Sequence, residues 1–232
     1  MDFEGREIVV TGGTGALGGA VVAALLDQGA RVHVPWRRAA ERGRFPHKDD
    51  QRVRMAEAEL TDEAAVARFY RDVGKLWASI HIAGGFAMAP IDEADRAAFM
   101  AQIEVNLLSC YLSSRAAVAA MRAAATGGRI VNVTARPGIE PRSGAGMTAY
   151  ATSKAAVAAF TQALAQEVVD DGILVNAVAP ATLDTPANRQ AMPKADVAKW
   201  AALGDVAQTI LFLASPENRV TRGAIVPVYG RS

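Results

Sequence analysis

Seven short runs of β-branched and apolar residues, separated by longer Ala- and Leu-rich stretches of helical period, constrain this 232-residue chain more than any other feature. The runs fall at about 7–11, 31–35, 52–55, 78–82, 128–134, 173–178 and 224–228, with helical stretches near 16–28, 62–73, 93–124, 150–170 and 203–214. Strands that are apolar almost without alternation are buried on both faces, and strands that alternate with helices pair in parallel through crossovers. The expected fold is therefore α/β: a doubly wound, seven-stranded parallel sheet with helices on both faces, in a single domain over 1–232. With 51% hydrophobic residues the chain can fill one large core. There is no internal repeat, low-complexity linker or composition break to mark a second domain. Three segments break the pattern: 36–50 is rich in Arg, 135–149 in Gly and Pro, and 180–200 carries Pro180, Pro186 and Pro193 around a short helical candidate. Loops of that length usually carry function.

Charge excludes some classes of partner. The 25 Lys+Arg and 24 Asp+Glu leave a net charge of +1, which gives no reason to expect nucleic acid or an anionic membrane. No apolar run approaches the roughly 20 residues that span a bilayer. The charged start, running straight into a strand, does not read as a signal peptide. A lone cysteine, Cys110, suits a reducing compartment, so a cytoplasmic protein is expected. His33, His47 and His81 lack metal-ligand spacing, and no metal is expected. Residues 105–124 and 150–170 are apolar round most of their circumference, which implies burial or a partner; a homodimer or homotetramer through these two helices is expected.

The first run leads into Gly12, Thr14, Gly15, Ala16, Leu17 and Gly18, which open a helix. Glycines allow a tight turn and close approach to a pyrophosphate, and the following helix offers free N–H groups and a positive dipole end. Strand, glycine turn and helix together are the context that makes such a pattern meaningful. The second run ends in Trp36, Arg37 and Arg38 rather than in the carboxylate that would bind a ribose 2′-hydroxyl. Guanidinium forks match a phosphate, so NADP(H) is favoured and NAD(H) stays open. A solvated basic loop is the competing reading. Glu59 and Leu60, after the third run, would lie near the adenine. Ala83, Gly84 and Gly85, closing the fourth, would let a cofactor lie along the crevice between the first and fourth strands.

Tyr150 and Lys154 are four residues apart, hence stacked on one helical face. A phenol titrates near pH ~10, and a fixed cation beside it favours the phenolate, bringing it closer to useful acid–base work. A surface Tyr beside a solvated Lys is the bland alternative.

Taken in order, the glycine turn at 11–18, Ala83-Gly84-Gly85, Val105-Asn106-Leu107, the strand at 130–133, Tyr150 with Lys154, Asn176 to Pro180, and Asp184-Thr185-Pro186 resemble the short-chain dehydrogenase/reductase family across the whole chain. The resemblance implies a Rossmann-type, NAD(P)-binding domain. It makes Tyr150 the general acid/base, and Lys154 the group that holds the nicotinamide ribose and acidifies the phenol. Asn106 would hold a water in a proton relay and Thr185 would contact the nicotinamide amide. Pro180, Thr182 and Leu183 would line the cofactor, and about 182–200 would form a substrate lid. Three departures stand out. The glycines follow Gly12-x-x-Gly15-x-x-Gly18 spacing, His81 stands where an Asn is usual, and Ala135, three residues before Gly138, occupies the position of the family's catalytic Ser. Thr134 is the leading substitute hydroxyl, with Ser143 and Thr148 as others, and a site with no substitute at all is the competing reading. The missing Ser, Gly13 to Gly18, Ala83 to Phe86, and Gly146-Met147 before Tyr150 are also similar to the dihydropteridine-reductase branch. The implied function is an NADP(H)-dependent oxidoreductase acting on a small-molecule substrate, a carbonyl, alcohol or quinonoid compound. A pterin-type reductase is the alternative within the class. A dinucleotide-binding sensor or scaffold without turnover is the alternative outside it.

Overall fold

The computed structural model describes residues 1–232. All seven expected strands form: β1 (Glu7–Thr11), β2 (Arg31–Trp36), β3 (Val53–Glu57), β4 (Leu76–His81), β5 (Gly128–Val133), β6 (Ile173–Pro180) and β7 (Ile225–Val228). They make one parallel sheet in the order β3-β2-β1-β4-β5-β6-β7. The helices are α1 (Ala16–Asp27), α2 (Ala39–Arg44), α3 (Glu63–Arg71), α4 (Arg96–Gln102), α5 (Ser109–Ala124), α6 (Arg136–Ile139), α7 (Thr148–Glu167), α8 (Pro186–Ala191) and α9 (Leu203–Ala214). This is a Rossmann-type arrangement.

Alternation along each strand sorts its side chains to two cores. Ile8, Val10, Ile80, Val131 and Val178 pack beneath α1 and α9. Val9, Ile130 and Val175 pack beneath α3, α5 and α7. The strand order reverses direction between β1 and β4, opening a crevice beyond their C-terminal ends, where ligands of such sheets bind.

The irregular segments hold short elements that the sequence does not announce. Residues 36–50 contain α2; 135–149 contain α6 and a 3₁₀ turn, Pro141–Gly144; 180–200 contain α8 and a 3₁₀ turn, Val197–Lys199. The helical stretch at 93–124 is interrupted: α4 passes into a π-helical turn, Ile103–Leu108, before α5 begins. Such turns concentrate at functional sites, and this one carries Asn106.

His81 has a clear structural role. Its Nδ1 lies 2.8 Å from Asn132 Oδ1, and its Nε2 lies 2.8 Å from Ser79 Oγ, which in turn meets the Tyr70 hydroxyl at 2.7 Å. Asn132 Nδ2 donates to Thr161 Oγ1, whose own proton goes to Val157 O. Asn132 therefore presents its carbonyl to the ring, so Nδ1 carries the proton and Nε2 accepts. Burial pushes the His81 pKa down to about 4, keeping the ring neutral. Cys110 is core, as expected, its thiol pushed up to about 12 by burial.

Helices α5 and α7 bury one face each. On their outer side the Tyr111 and Phe160 rings meet at 5.5 Å, and Tyr111 is 46% exposed. No helix is long and apolar enough to cross a membrane.

Candidate active site

The turn after β1 is glycine for steric reasons. Gly12 has φ +68°, and a Cβ there would stand 2.6 Å from Ala83 N, in the backbone that follows β4. A Cβ on Gly18 would run into Gly12 O, and one on Gly13 would press on Val34 at 2.8 Å. Gly13 was not among the predicted site residues, although its place beside Gly12 is the signal. Gly15 is different: it is exposed, and it precedes the first residue of α1. The first turn of α1 has no acidic residue and no side-chain cap, so its N–H groups are available to an anion. Thr14 and Ala16 border this open turn, while Leu17 is buried in the core. A glycine cradle facing an uncapped helix end fits a dinucleotide pyrophosphate.

At the end of β2 the expected arginines are exposed but not unpaired. Arg37 lies 3.6 Å from Glu59, and Arg38 Nε donates to Glu41 at 2.6 Å. Glu41 also accepts from the backbone N–H groups of Arg37 and Arg38, at 3.3 and 3.5 Å. Its carboxyl is held below the usual range by these bonds, which outweigh its partial burial. Glu41 was missed because α2 was not foreseen. Glu59 further accepts from Thr61 N and Oγ1, and Leu60 packs against the core.

Beyond β4, Ala83 N donates to Thr11 Oγ1 at 3.3 Å. Asn106 grips the next residues: Oδ1 accepts from Gly85 N at 3.0 Å, and Nδ2 donates to Gly85 O at 3.0 Å and to Ser153 Oγ at 3.1 Å. A Cβ on Gly84 would stand 2.6 Å from Asn106 Oδ1 and 3.4 Å from Lys154 Nζ. The amide of Asn106 is thus engaged in fastening this loop to α7. Ser153, unremarked in the sequence, is the link, donating in turn to Tyr150 O at 2.8 Å.

Tyr150 sits in the first turn of α7, half-buried, with no hydrogen-bond partner for its hydroxyl, and Phe86 meets its ring edge-on at 5.0 Å and 85°. One turn on, Lys154 is 5% exposed; its ammonium donates to Val133 O at 2.9 Å and has no carboxylate counter-ion. The expected acidification of the phenol is not present in the protein alone. Burial pushes Tyr150 up to about 12 and Lys154 down to about 8. The ammonium is aimed at the end of β5, and desolvation dominates both groups.

Thr134 does not take up the part expected of it. Its hydroxyl is buried and donates to Lys154 O at 2.5 Å, turned to the backbone of α7. Ala135 follows in extended conformation, φ −159° and ψ 164°, with its methyl buried. Ser143 Oγ donates to Glu140 O within its own turn. Thr148 is two residues before Tyr150 on α7 and so does not share its face.

A sequence profile described as short chain dehydrogenase matches residues 6–196. The chain belongs to the short-chain dehydrogenase/reductase family. It is 33% identical to cis-4-hydroxycyclohexanecarboxylate dehydrogenase of Sinomonas cyclohexanicum, over 98% of this chain and 96% of the relative. It is 34% identical to galactitol 2-dehydrogenase of Rhizobium johnstonii, over 97% and 94%. Among solved structures, an oxidoreductase of the family from Burkholderia thailandensis superposes with a TM-score of 0.87 at 31% identity, over 97% of this chain and 92% of that one.

Within this family member, the segment after Pro180 is internally tied. Thr182 O accepts from Ala201 N, Leu183 bridges to Ala201, and Thr185 Oγ1 caps α8 by accepting from Asn188 N at 3.1 Å. Asp184 and Arg189 pair through two bonds of 2.6 and 2.8 Å. The C-terminal tail fastens the same region, with Arg231 N donating to Lys199 O at 2.9 Å. Tyr229 reaches the opposite rim, donating to Glu140, which also pairs with Arg136 at 2.7 Å.

Proposed function

We propose that this protein is an NADP(H)-dependent oxidoreductase acting on a small carbonyl, alcohol or quinonoid compound, with Tyr150 as general acid/base. The observation that carries the reading is the Tyr150 hydroxyl, left without a partner one helical turn from a buried, counter-ion-free Lys154. Perturbed groups so placed in a cleft mark a functional site. The two curated relatives are both named for oxidation at a hydroxyl-bearing carbon, which supports the class.

The dinucleotide supplies or takes up the hydride. Gly12, Thr14, Gly15, Ala16, Leu17 and Gly18 hold its pyrophosphate end, Arg37, Arg38, Glu59 and Leu60 its adenosine end, and Ala83, Gly84, Gly85, Pro180, Thr182, Leu183 and Thr185 its nicotinamide end. Tyr150 gives a proton to the substrate oxygen in reduction and takes one in oxidation. With the dinucleotide bound, Lys154 would hold ribose hydroxyls, which would replace the solvation it has lost, and in that complex it would favour the phenolate. Asn106 sets the loop at 83–85 against α7, and the segment at about 182–200 covers the substrate. A second copy covers the Tyr111–Phe160 face, through α5 and α7. NADPH oxidation over a panel of ketones, aldehydes, quinones and dihydropteridines tests the reading. Tight NADPH binding with no turnover of any of them would make the protein a sensor or scaffold.

In this reading Ala135 leaves the site without the usual Ser. A missing donor to a developing oxyanion costs about 10²–10³ in rate. Ala135→Ser is therefore expected to raise kcat/KM for simple ketones about 10- to 100-fold. No change would show that the substrate needs no carbonyl polarisation. That result favours the quinonoid, pterin-like reading, which Ala135 independently supports.

Glu41 already occupies donors that a 2′-phosphate would use. Glu41→Gln is expected to tighten NADPH about fivefold, as suits an exposed ion pair, and to leave NADH within about twofold. Titration of nucleotide fluorescence reads both. Weaker NADPH binding in the variant would mean that Glu41 props Arg38 rather than competing for it.

A further inference from the structure

We infer that the substrate is a predominantly apolar ring compound bearing one reacting oxygen, held against Tyr150 by Phe86 and Met88. This rests on the proposed placement of chemistry at Tyr150 and goes beyond it by naming what is bound. Two independent features carry it.

The first is a hydrogen-bond inventory around the phenol. Asn106 is spent on Gly85 and Ser153, Ser153 on Tyr150 O, Thr134 on Lys154 O, and Ser143 on Glu140 O. Arg136 is spent on Glu140 and lies 5.1 Å over the Tyr229 ring. Position 135 presents a methyl group. Apart from the exposed Thr148 and Arg142 side chains, the Tyr150 hydroxyl is what remains, so the reacting centre itself offers one hydrogen bond where a polyol or hydroxy acid needs several. Burying such a substrate would leave polar groups unpaired, at a cost per group that outweighs a typical hydrogen bond.

The second is the cover itself. The loop after β4 lies across the start of α7: Phe86 packs edge-on against Tyr150, and the Met88 methyl stands 3.2 Å from where a Gly146 Cβ would be. Yet Phe86 is 62% and Met88 64% exposed. Large apolar side chains standing free beside an acid–base group, on a loop stitched down by Asn106, gain most from an apolar ligand laid against them. A thioether and a ring edge adapt well to rings.

The test compares 1-tetralone, dihydroxyacetone and a carboxylate-bearing cyclohexanone with the full-length protein and NADPH. The expected kcat/KM for tetralone exceeds that for dihydroxyacetone at least 30-fold. Phe86→Ala should lower tetralone about tenfold, as loss of a few methylenes' worth of buried surface does, and dihydroxyacetone less than twofold. Phe86→Leu should keep most of the activity. In parallel, saturation-transfer NMR of 1-tetralol on the nucleotide complex reads binding without turnover, with ring signals expected in wild type and lost in Phe86→Ala. Preference for dihydroxyacetone overturns the inference, as does preference for the carboxylate, which would move recognition to a cation such as the exposed Arg142. Equal loss for both ketones in Phe86→Ala, or no tetralol signal, overturns it too. Ring binding that depends on Phe86 without any turnover leaves it standing and sinks the oxidoreductase reading instead.

Discussion

Tyr150→Phe is expected to lower kcat for reduction by about 10²–10⁴ while leaving the fold and nucleotide affinity nearly unchanged. The asymmetry follows from the environment of the hydroxyl. It makes no hydrogen bond within the protein, so its removal strands no buried partner, and the ring keeps its edge-on contact with Phe86. A stability change within about 0.5 kcal/mol and a nucleotide Kd within threefold are therefore the expected controls. Burial holds the phenol near 12, so without nucleotide it keeps its proton across the neutral range. Turnover equal to wild type would remove Tyr150 from the chemistry. A large drop in melting temperature would show instead that the hydroxyl has a structural partner.

How much of this was legible in the sequence differs between sheet and site. The seven strands could be read because most are short apolar, β-branched runs, β3 with Arg54 and Glu57 being the weakest, and the crevice followed from their alternation with helices. Gly12 and Gly18 could be read because backbone packs where a Cβ would stand. Asn106 was found, but not the π-helical turn that carries it, since a six-residue change of winding leaves little trace in apolar periodicity. The His81 partners were invisible because the chief of them, Asn132, is 51 residues away on another strand. Glu41 escaped because α2 has no buried residue and hence no hydrophobic signature. Thr134 was the instructive case. Strand alternation already sent residues 134 and 135 to opposite sides, and the structure puts the hydroxyl on the α7 side. The direction of the Tyr150 shift also lay beyond the sequence. Spacing places an ammonium nearby, but burial decides which of the two groups is perturbed and which way.

That balance makes Lys154→Met the most informative second variant, because activity and stability should move in opposite directions. Loss of the cation is expected to cut turnover at least 10²-fold, since Lys154 is the cation one turn from the phenol on α7. In the nucleotide-free protein, however, Lys154 is a buried cation with one hydrogen bond out of three donors, and burial pushes it from 10.5 down to about 8. A shift of that size corresponds to about 3 kcal/mol of destabilisation at neutral pH. Met fills a similar volume without the charge, but it leaves Val133 O short of a donor, which costs about 1–2 kcal/mol. The net expectation is a gain of about 1–2 kcal/mol, or a rise in Tm of about 3–6 °C. The pH dependence fixes the cause. The folded state binds fewer protons than the unfolded chain between about 8 and 10.5, so wild-type stability rises with pH through that window. Below pH 8 wild type bears the full penalty, and the advantage of Lys154→Met should be largest and flat there, shrinking toward pH 10.5. Thermal unfolding of both proteins at pH 6, 7 and 9.5, without nucleotide, checks this directly. A variant less stable than wild type at pH 7 would mean that Lys154 is not the desolvated, poised cation on which the proposed chemistry depends.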